Sequence, residues 1–263
     1  MPGLWRTASS AMVALLMLTQ CSAADTPPEQ PLAKPHIQLM TSLPLIWGDN
    51  ASMESILSGG SEPAVIYKYW QGQYDVEAVD SLETLAQDDP DIVLLAQPRA
   101  MAPADFAILD EWVRSGGDVI ILTDPDLVWP SALPLGDRRR PLTSGLLSPL
   151  LGHWGLELVA DAEPDIDPVD LHFGNFSFAT RGIGKLKPIP GQAISNVRCK
   201  SSAADFVVQC SVGQGRASII ADADLLDAAY WPESTRRSPQ NSGAVRFIDS
   251  LVQDHIDSGG FGK

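Results

Sequence analysis

Histidine and cysteine are scarce in this sequence, with four of the first and three of the second in 263 residues. His36, His153, His172 and His255 stand far apart, without the HxH or HxxxH spacing that sets two imidazoles on one metal ion. No metal and no cofactor are expected. Basic residues are few as well: Lys and Arg number 18 against 33 Asp and Glu, a formal charge of −15. Such a surface repels phosphate backbones, which argues against nucleic acid as a partner, and it disfavours broad adhesion to anionic lipid. A Gly-x-Ser-x-Gly elbow is absent, and no Cys stands between small residues at the end of an apolar strand run. Covalent acyl chemistry therefore lacks its nucleophile. Long apolar runs are missing too. Residues 11–18 (AMVALLML) make a run of eight, and a membrane-spanning helix needs roughly 20.

That short run follows Arg6 and precedes the small residues Ser22, Ala23 and Ala24, the order of a secretory signal. Residues 1–24 are expected to be a signal peptide and residues 25–35 (DTPPEQPLAKP), with four prolines in eleven, a linker. Two processing modes fit. Leu18-Thr19-Gln20-Cys21 resembles a lipobox that would lipidate Cys21 and tether the protein to a membrane, although Gln20 departs from the small residue usual there. Ordinary cleavage near Ser22-Ala23-Ala24 would release a free protein. Either way the expected location is periplasmic or otherwise extracytoplasmic. Cys199 and Cys210 fit that compartment: each adjoins a strand-like run and the polar stretch 200–205 between them can turn, so a hairpin would join them as a disulfide.

Residues 36–257 read as one α/β domain, followed by a loose Gly-rich tail at 258–263. The runs 91–96 (DIVLLA) and 118–122 (DVIIL) are continuously apolar, as buried parallel strands are. Between them Phe106, Leu109, Trp112 and Val113 recur at helical spacing, and Gly116-Gly117 stop the helix, which makes a βαβ unit. Further strands are expected at 36–41, 74–79, 156–159 and 216–221, and helices at 146–154 and 243–255, with 64–70 open between the two states. Short polar strands fill 171–211. The expected architecture is a mostly parallel sheet flanked by helices, with a small β-rich insertion at about 165–212 before the last core strand.

Three stretches carry a family likeness: 42–48 (SLPLIWG), 94–126 (LLAQPRAMAPADFAILDEWVRSGGDVIILTDPD) and 213–226 (GQGRASIIADADLL). Together they resemble an uncharacterised ABC-type transport auxiliary family related to the gliding-motility GldG-like proteins. The resemblance implies a flavodoxin-like fold of the class I glutamine-amidotransferase-like superfamily. Members with that activity place a Cys on a sharp strand-to-helix turn, which this sequence lacks. It also implies an extracytoplasmic, non-enzymatic component beside a membrane transporter or another envelope protein.

Ligand-binding candidates gather where strands end, since open α/β sheets bind ligands at that edge. Asp124 with Asp126 follows one strand and Asp222 with Asp224 follows another. They either cap the next turns or hold a cation through hard oxygens. Trp47 and Trp129 sit in Pro-containing loops, as plugs or as a contact patch, and Arg139 centres the lone basic run. An alternative function follows from the acidic pairs: a metal-assisted hydrolase or carbohydrate-active enzyme.

Overall fold

The computed structural model describes residues 33–49, 51–160, 167–191, 194–202 and 204–259. The expected signal segment with Cys21, and the linker as far as residue 32, lie outside the described residues. Every element named below belongs to the compact unit 34–263.

The elements run β1 His36–Thr41, α1 Met53–Leu57, α2 Val65–Gln73, β2 Asp75–Ala78, α3 Leu85–Asp88, β3 Ile92–Ala96, α4 Pro103–Arg114 and β4 Asp118–Leu122. They continue with α5 Ser148–His153, β5 Leu156–Val159, β6 Val169–Phe173, β7 Phe176–Thr180, β8 Lys185–Pro188, β9 Val197–Ser202, β10 Val207–Val212 and β11 Gly215–Ile220. After a 3-10 turn at Asp224–Leu226 come α6 Glu233–Arg236 and α7 Gly243–Gly259. The central sheet has seven strands in the order β2-β1-β3-β4-β11-β10-β9. The first five are mutually parallel, β10 is antiparallel to β11, and β9 is antiparallel to β10. The expected mixed α/β architecture around a mostly parallel sheet is therefore present.

Every residue of β3 and β4 is buried, because the sheet is covered on both faces. Period-2 alternation divides their side chains. Leu94 and Ile120 point to the face packed by Ile66 and Trp70 of α2 and by Phe247, Ile248 and Leu251 of α7. Val93, Leu95, Val119 and Ile121 point to the other, packed by Leu109 and Val113 of α4 and by Leu150 and Leu151 of α5. The open state of 64–70 resolves to helix. A chain leaving the end of β1 must return to its start before it can pair with β2 in parallel, and a helix spans that crossover. Its buried residues Ile66, Tyr67 and Trp70 then fall on one face.

The strand expected at 156–159 forms, but outside the central sheet: β5 pairs antiparallel with β8. β6 and β7 make a separate hairpin whose Phe173, Phe176 and Phe178 surround Phe247 of α7, with ring centroids 5.2, 5.7 and 5.5 Å away. β9 and β10 instead extend the main sheet. The glycines of 213–215 have a local reason. Gly213 turns the β10–β11 hairpin at φ +62, and a Cβ on Gly215 would collide with the carbonyl oxygens of Val113 and Gly117 at the end of α4.

The last turns of α7 are fastened by a polar network. Ser218 Oγ lies 2.9 Å from His255 Nε2, and His255 Nδ1 lies 3.3 Å from Asp118 Oδ1. Arg216 donates to both Asp118 oxygens and to the carbonyls of Asp254 and His255. Burial alone would raise the Asp118 carboxyl, but His255 and Arg216 outweigh it and hold it below its ordinary value.

Cys199 and Cys210 face each other across β9 and β10 and are joined as a disulfide. The turn between them is shorter than the stretch 200–205, because β9 runs on through Ser202. Closing a loop over a sequence separation of 11 removes unfolded-state entropy worth about 2–3 kcal/mol. The double variant Cys199→Ser/Cys210→Ser should unfold at lower denaturant by that amount. An unchanged midpoint would show that the hairpin is held without the cross-link.

Candidate functional site

Because five strands are parallel, the loops after β1, β3, β4 and β11 all emerge at one edge of the sheet. After β1 the chain turns outward to β2, then crosses back to β3 on the other side of β1. The loops following β1 and β3 therefore part, and the crevice between them is where sheets of this kind accept ligands. A cleft of about 190 Å³ lies there. Thr41 and Ser42 at the end of β1, Trp47, Arg99, Leu133 and Arg139 are among its lining residues.

Trp47 is 51% exposed at this cleft. Trp129 lies inside its wall instead: it is buried, and its Nε1 donates to Asp49 Oδ1 at 3.2 Å. Arg139 lines the cleft but is largely engaged within its own loop. Its Nε and Nη2 grip the two oxygens of Asp137 at 3.0 and 2.7 Å, and Nη1 donates to the Ala51 carbonyl. Those hydrogen bonds hold the Asp137 carboxyl down to about 2. Arg140 donates to the carbonyls of Ser131 and Leu133. The basic run thus shapes the loop, and Arg99 and Arg138 keep the more available guanidinium groups.

Asp124, Asp222 and Asp224 converge, although about a hundred residues separate the first from the others. One carboxylate oxygen from each lies within 4.8 Å of the other two, and all three residues are fully buried. β4 and β11 are adjacent and in register, Leu122 opposite Ile220, so the residues just beyond them meet. Asp126 is exposed and takes part only through its backbone N–H, which donates to Asp124 Oδ1. Asp222 Oδ1 accepts from the N–H groups of Asp224 and Leu225, and its Oδ2 accepts from the Thr180 hydroxyl at 2.5 Å. Asp224 Oδ2 accepts from Val128 N–H.

Burial pushes the Asp124 carboxyl strongly upward, and the neighbouring Asp222 and Asp224 add to it. Burial also raises Asp222, against the hydrogen bonds it receives, and lifts Asp224 to about 7. These raised values favour a proton shared between Asp124 and Asp222, which would hold the charge of the cluster in check. The three residues match a hard-cation donor set in type, but Asp222 already accepts three protein hydrogen bonds and Asp224 Oδ1 is the one cluster oxygen without a partner. None of the three lines the cleft.

The sequence reading missed Gln97. This buried residue follows β3 at φ +44. Its Oε1 accepts from Asp124 N–H at 2.8 Å, and its Nε2 donates to the carbonyls of Asp124 and Leu142. A polar residue directly after a fully apolar strand, and before a proline, was the available signal. Ser218, His255 and Asp118 have the order of a hydrolytic triad, but Ser218 is 3% exposed in mid-strand and laddered on both sides. No free backbone N–H remains beside it for an oxyanion.

Residues 34–181, more than half of the chain, match the model of a family described as an ABC-type uncharacterized transport system. No functionally curated protein matches the sequence. Among solved structures the mmIFT52 N-terminal domain is similar at TM-score 0.50 and 12% identity, over 87% of this chain and 99% of that one. The exo-beta-1,4-mannosidase Op5Man5 from Opitutaceae bacterium strain TAV5 gives a TM-score of 0.44 at 12% identity, over 83% of this chain and 36% of its own. The cytoplasmic protein STM3548 from Salmonella typhimurium gives 0.41 at 9% identity, over 83% and 98%. At such identities the likeness concerns the fold alone.

The proton-sharing arrangement makes the two central carboxyls unequal. Asp124→Asn keeps a donor toward Asp222 and should stay within about 1 kcal/mol of wild type at pH 8. Asp222→Asn would turn an NH2 toward groups that donate, and should lose about 2–3 kcal/mol. A folded carboxyl with raised pKa contributes stability that is fully present below about pH 4, where the unfolded chain is protonated too, and that is lost as pH rises from there through its folded value, which for Asp124 is about 9. The stability of wild type relative to Asp124→Asn should fall over that interval. Equal losses for both variants at pH 8, or a flat difference with pH, would refute the shared proton.

Proposed function

The chain belongs to the family described as an ABC-type uncharacterized transport system, and from that premise we propose that it is a non-enzymatic, extracytoplasmic accessory component working beside an ABC-type transporter. The observation that carries the non-enzymatic part is Gln97. The strand order β2-β1-β3-β4-β11 is the order of the flavodoxin-like folds, which supports kinship with the glutamine-amidotransferase-like superfamily and the GldG-like proteins. In the amidotransferase members of that superfamily a Cys occupies a sharp turn between strand and helix. Here the turn between β3 and α4 is held at φ +44 by Gln97, an amide that cannot act as nucleophile and is bonded on both ends. The strained backbone is kept and the reactive group is absent.

The extracytoplasmic part rests on the short apolar run and linker of the N-terminal segment and on the disulfide, which belongs to oxidising compartments. Cys21 offers a lipid tether, and cleavage after Ala24 offers a free form. Among the described residues no helix is long and apolar enough to cross a membrane. A metal-assisted hydrolase has less support, because the acidic cluster is occupied by hydrogen bonds and sealed from the cleft.

Fractionation of cells producing the full chain should recover it outside the cytoplasm with Cys199 and Cys210 oxidised. From gently solubilised envelopes it should copurify with ATP-binding and membrane subunits of a transporter. Recovery in the cytoplasm with free thiols would defeat the location, and purification without transporter subunits would defeat the accessory role.

A further inference from the structure

We propose that the cleft and its rim are the docking surface of this protein, and that the occupant is an extended segment of a partner protein with one large apolar anchor flanked by acidic side chains. This docking role rests on the accessory reading above and names its surface.

Size comes first. Sites for metabolites and drug-sized ligands usually exceed about 300 Å³. The cleft offers about 190 Å³, room for a single large side chain rather than a whole small molecule. Protein interfaces are commonly organised around such an anchor.

The surroundings are those of an interface. Among the described residues the exposed large hydrophobics are Trp47 at 51%, Met53 at 66%, Leu57 at 80%, Leu135 at 90% and Leu146 at 44%. Trp47 lines the cleft, and Met53, Leu57 and Leu135 each stand within two residues of the lining residues Ala51, Ile56 and Leu133. Scattered exposed leucines need no explanation, but a concentration around one opening does. α1 adds to it: none of its residues is buried, although Ser52 caps it well.

Charge selects the partner. The chain carries a formal charge of −15, yet Arg99 and Arg139 line the cleft, and Arg99, Arg138 and Arg140 line an adjoining hollow. Against them stand Asp49, already engaged by Trp129, Asp80, and Asp137 of the hollow, which is paired with Arg139, so Arg99, Arg138 and Arg140 leave a small positive excess. An acidic segment would be repelled by most of this molecule and accepted here, which fixes both the place and the orientation of docking.

The test uses the full-length protein co-produced with the ATP-binding and membrane subunits of an ABC-type transporter from the same organism. Trp47→Ala, Leu135→Ser and Arg99→Glu should each reduce copurification by about tenfold, and the binding should weaken with rising salt. Arg198→Glu with Lys200→Glu, on exposed β9, makes twice the charge change elsewhere and should leave it unchanged. Thermal melts establish that each variant is folded. Undiminished copurification of all three cleft variants would overturn the docking surface while leaving the accessory reading intact. If wild type itself fails to copurify, both fall together. Binding of wild type, but not of the cleft variants, to vesicles rich in phosphatidylglycerol would also overturn the proposal, because the occupant would then be a lipid surface.

Discussion

The side-chain amide of Gln97 joins the parts on which the functional edge depends. It leaves the end of β3, takes the N–H and carbonyl of Asp124 at the end of β4, and reaches the Leu142 carbonyl where the long loop returns. Three segments with no regular structure of their own are thereby fixed to two of the most deeply buried strands. The backbone at Gln97 is strained, and a non-Gly residue persists in that region only where its surroundings over-determine it. Both ends of the amide supply that constraint. It shares the base of the loop carrying Trp129, Leu135 and Arg139 with the bonds from Leu142 N–H to Ser42 Oγ and from Val128 N–H to Asp224.

The buried aspartates solve a related problem. Loops that cross over strand ends bring backbone N–H groups into a dry place, and each needs an acceptor. Asp124, Asp222 and Asp224 provide acceptors for Asp126, Ala223, Asp224, Leu225 and Val128. Three full negative charges so close together and so deeply buried would be very unfavourable, and protonation removes part of the charge while leaving the oxygens to accept. What resembles a catalytic or metal constellation by composition is, by its partners, a fastening.

Much of the fold could be read from the residues because its signals are local. β3 and β4 are runs of apolar residues that only a doubly covered strand tolerates. The Cys199–Cys210 hairpin was legible because partners 11 residues apart need only one turn to meet. α2 resisted, since Val65, Ile66, Tyr67, Tyr69 and Trp70 suit a strand as well as a helix, and the crossover topology decides between them. β5 was recognisable as a strand, but nothing in LELV says that β8 rather than the main sheet would be its partner. The acidic residues were legible as strand-end groups, whereas their convergence depends on β4 and β11 being neighbours. Gln97 offered only its polarity after an apolar strand and before a proline, since no feature of a glutamine announces a positive φ. The cleft is likewise a product of topology, built from loops spread between residues 41 and 141.

The cross-link at the far side of the sheet also decides how the sheet ends. β9 is an outermost strand, exposed along most of its length, and such strands invite pairing with other chains. With Cys199 bonded to Cys210, β9 cannot slide or peel away from β10 to offer its inner side, and Arg198 and Lys200 on its surface discourage another copy from adding in line. The opposite border, β2, carries Asp75 and Glu77. A molecule with two open borders of opposite charge could polymerise border to border. The disulfide denies the basic one the freedom to adapt, which works against self-association along that border.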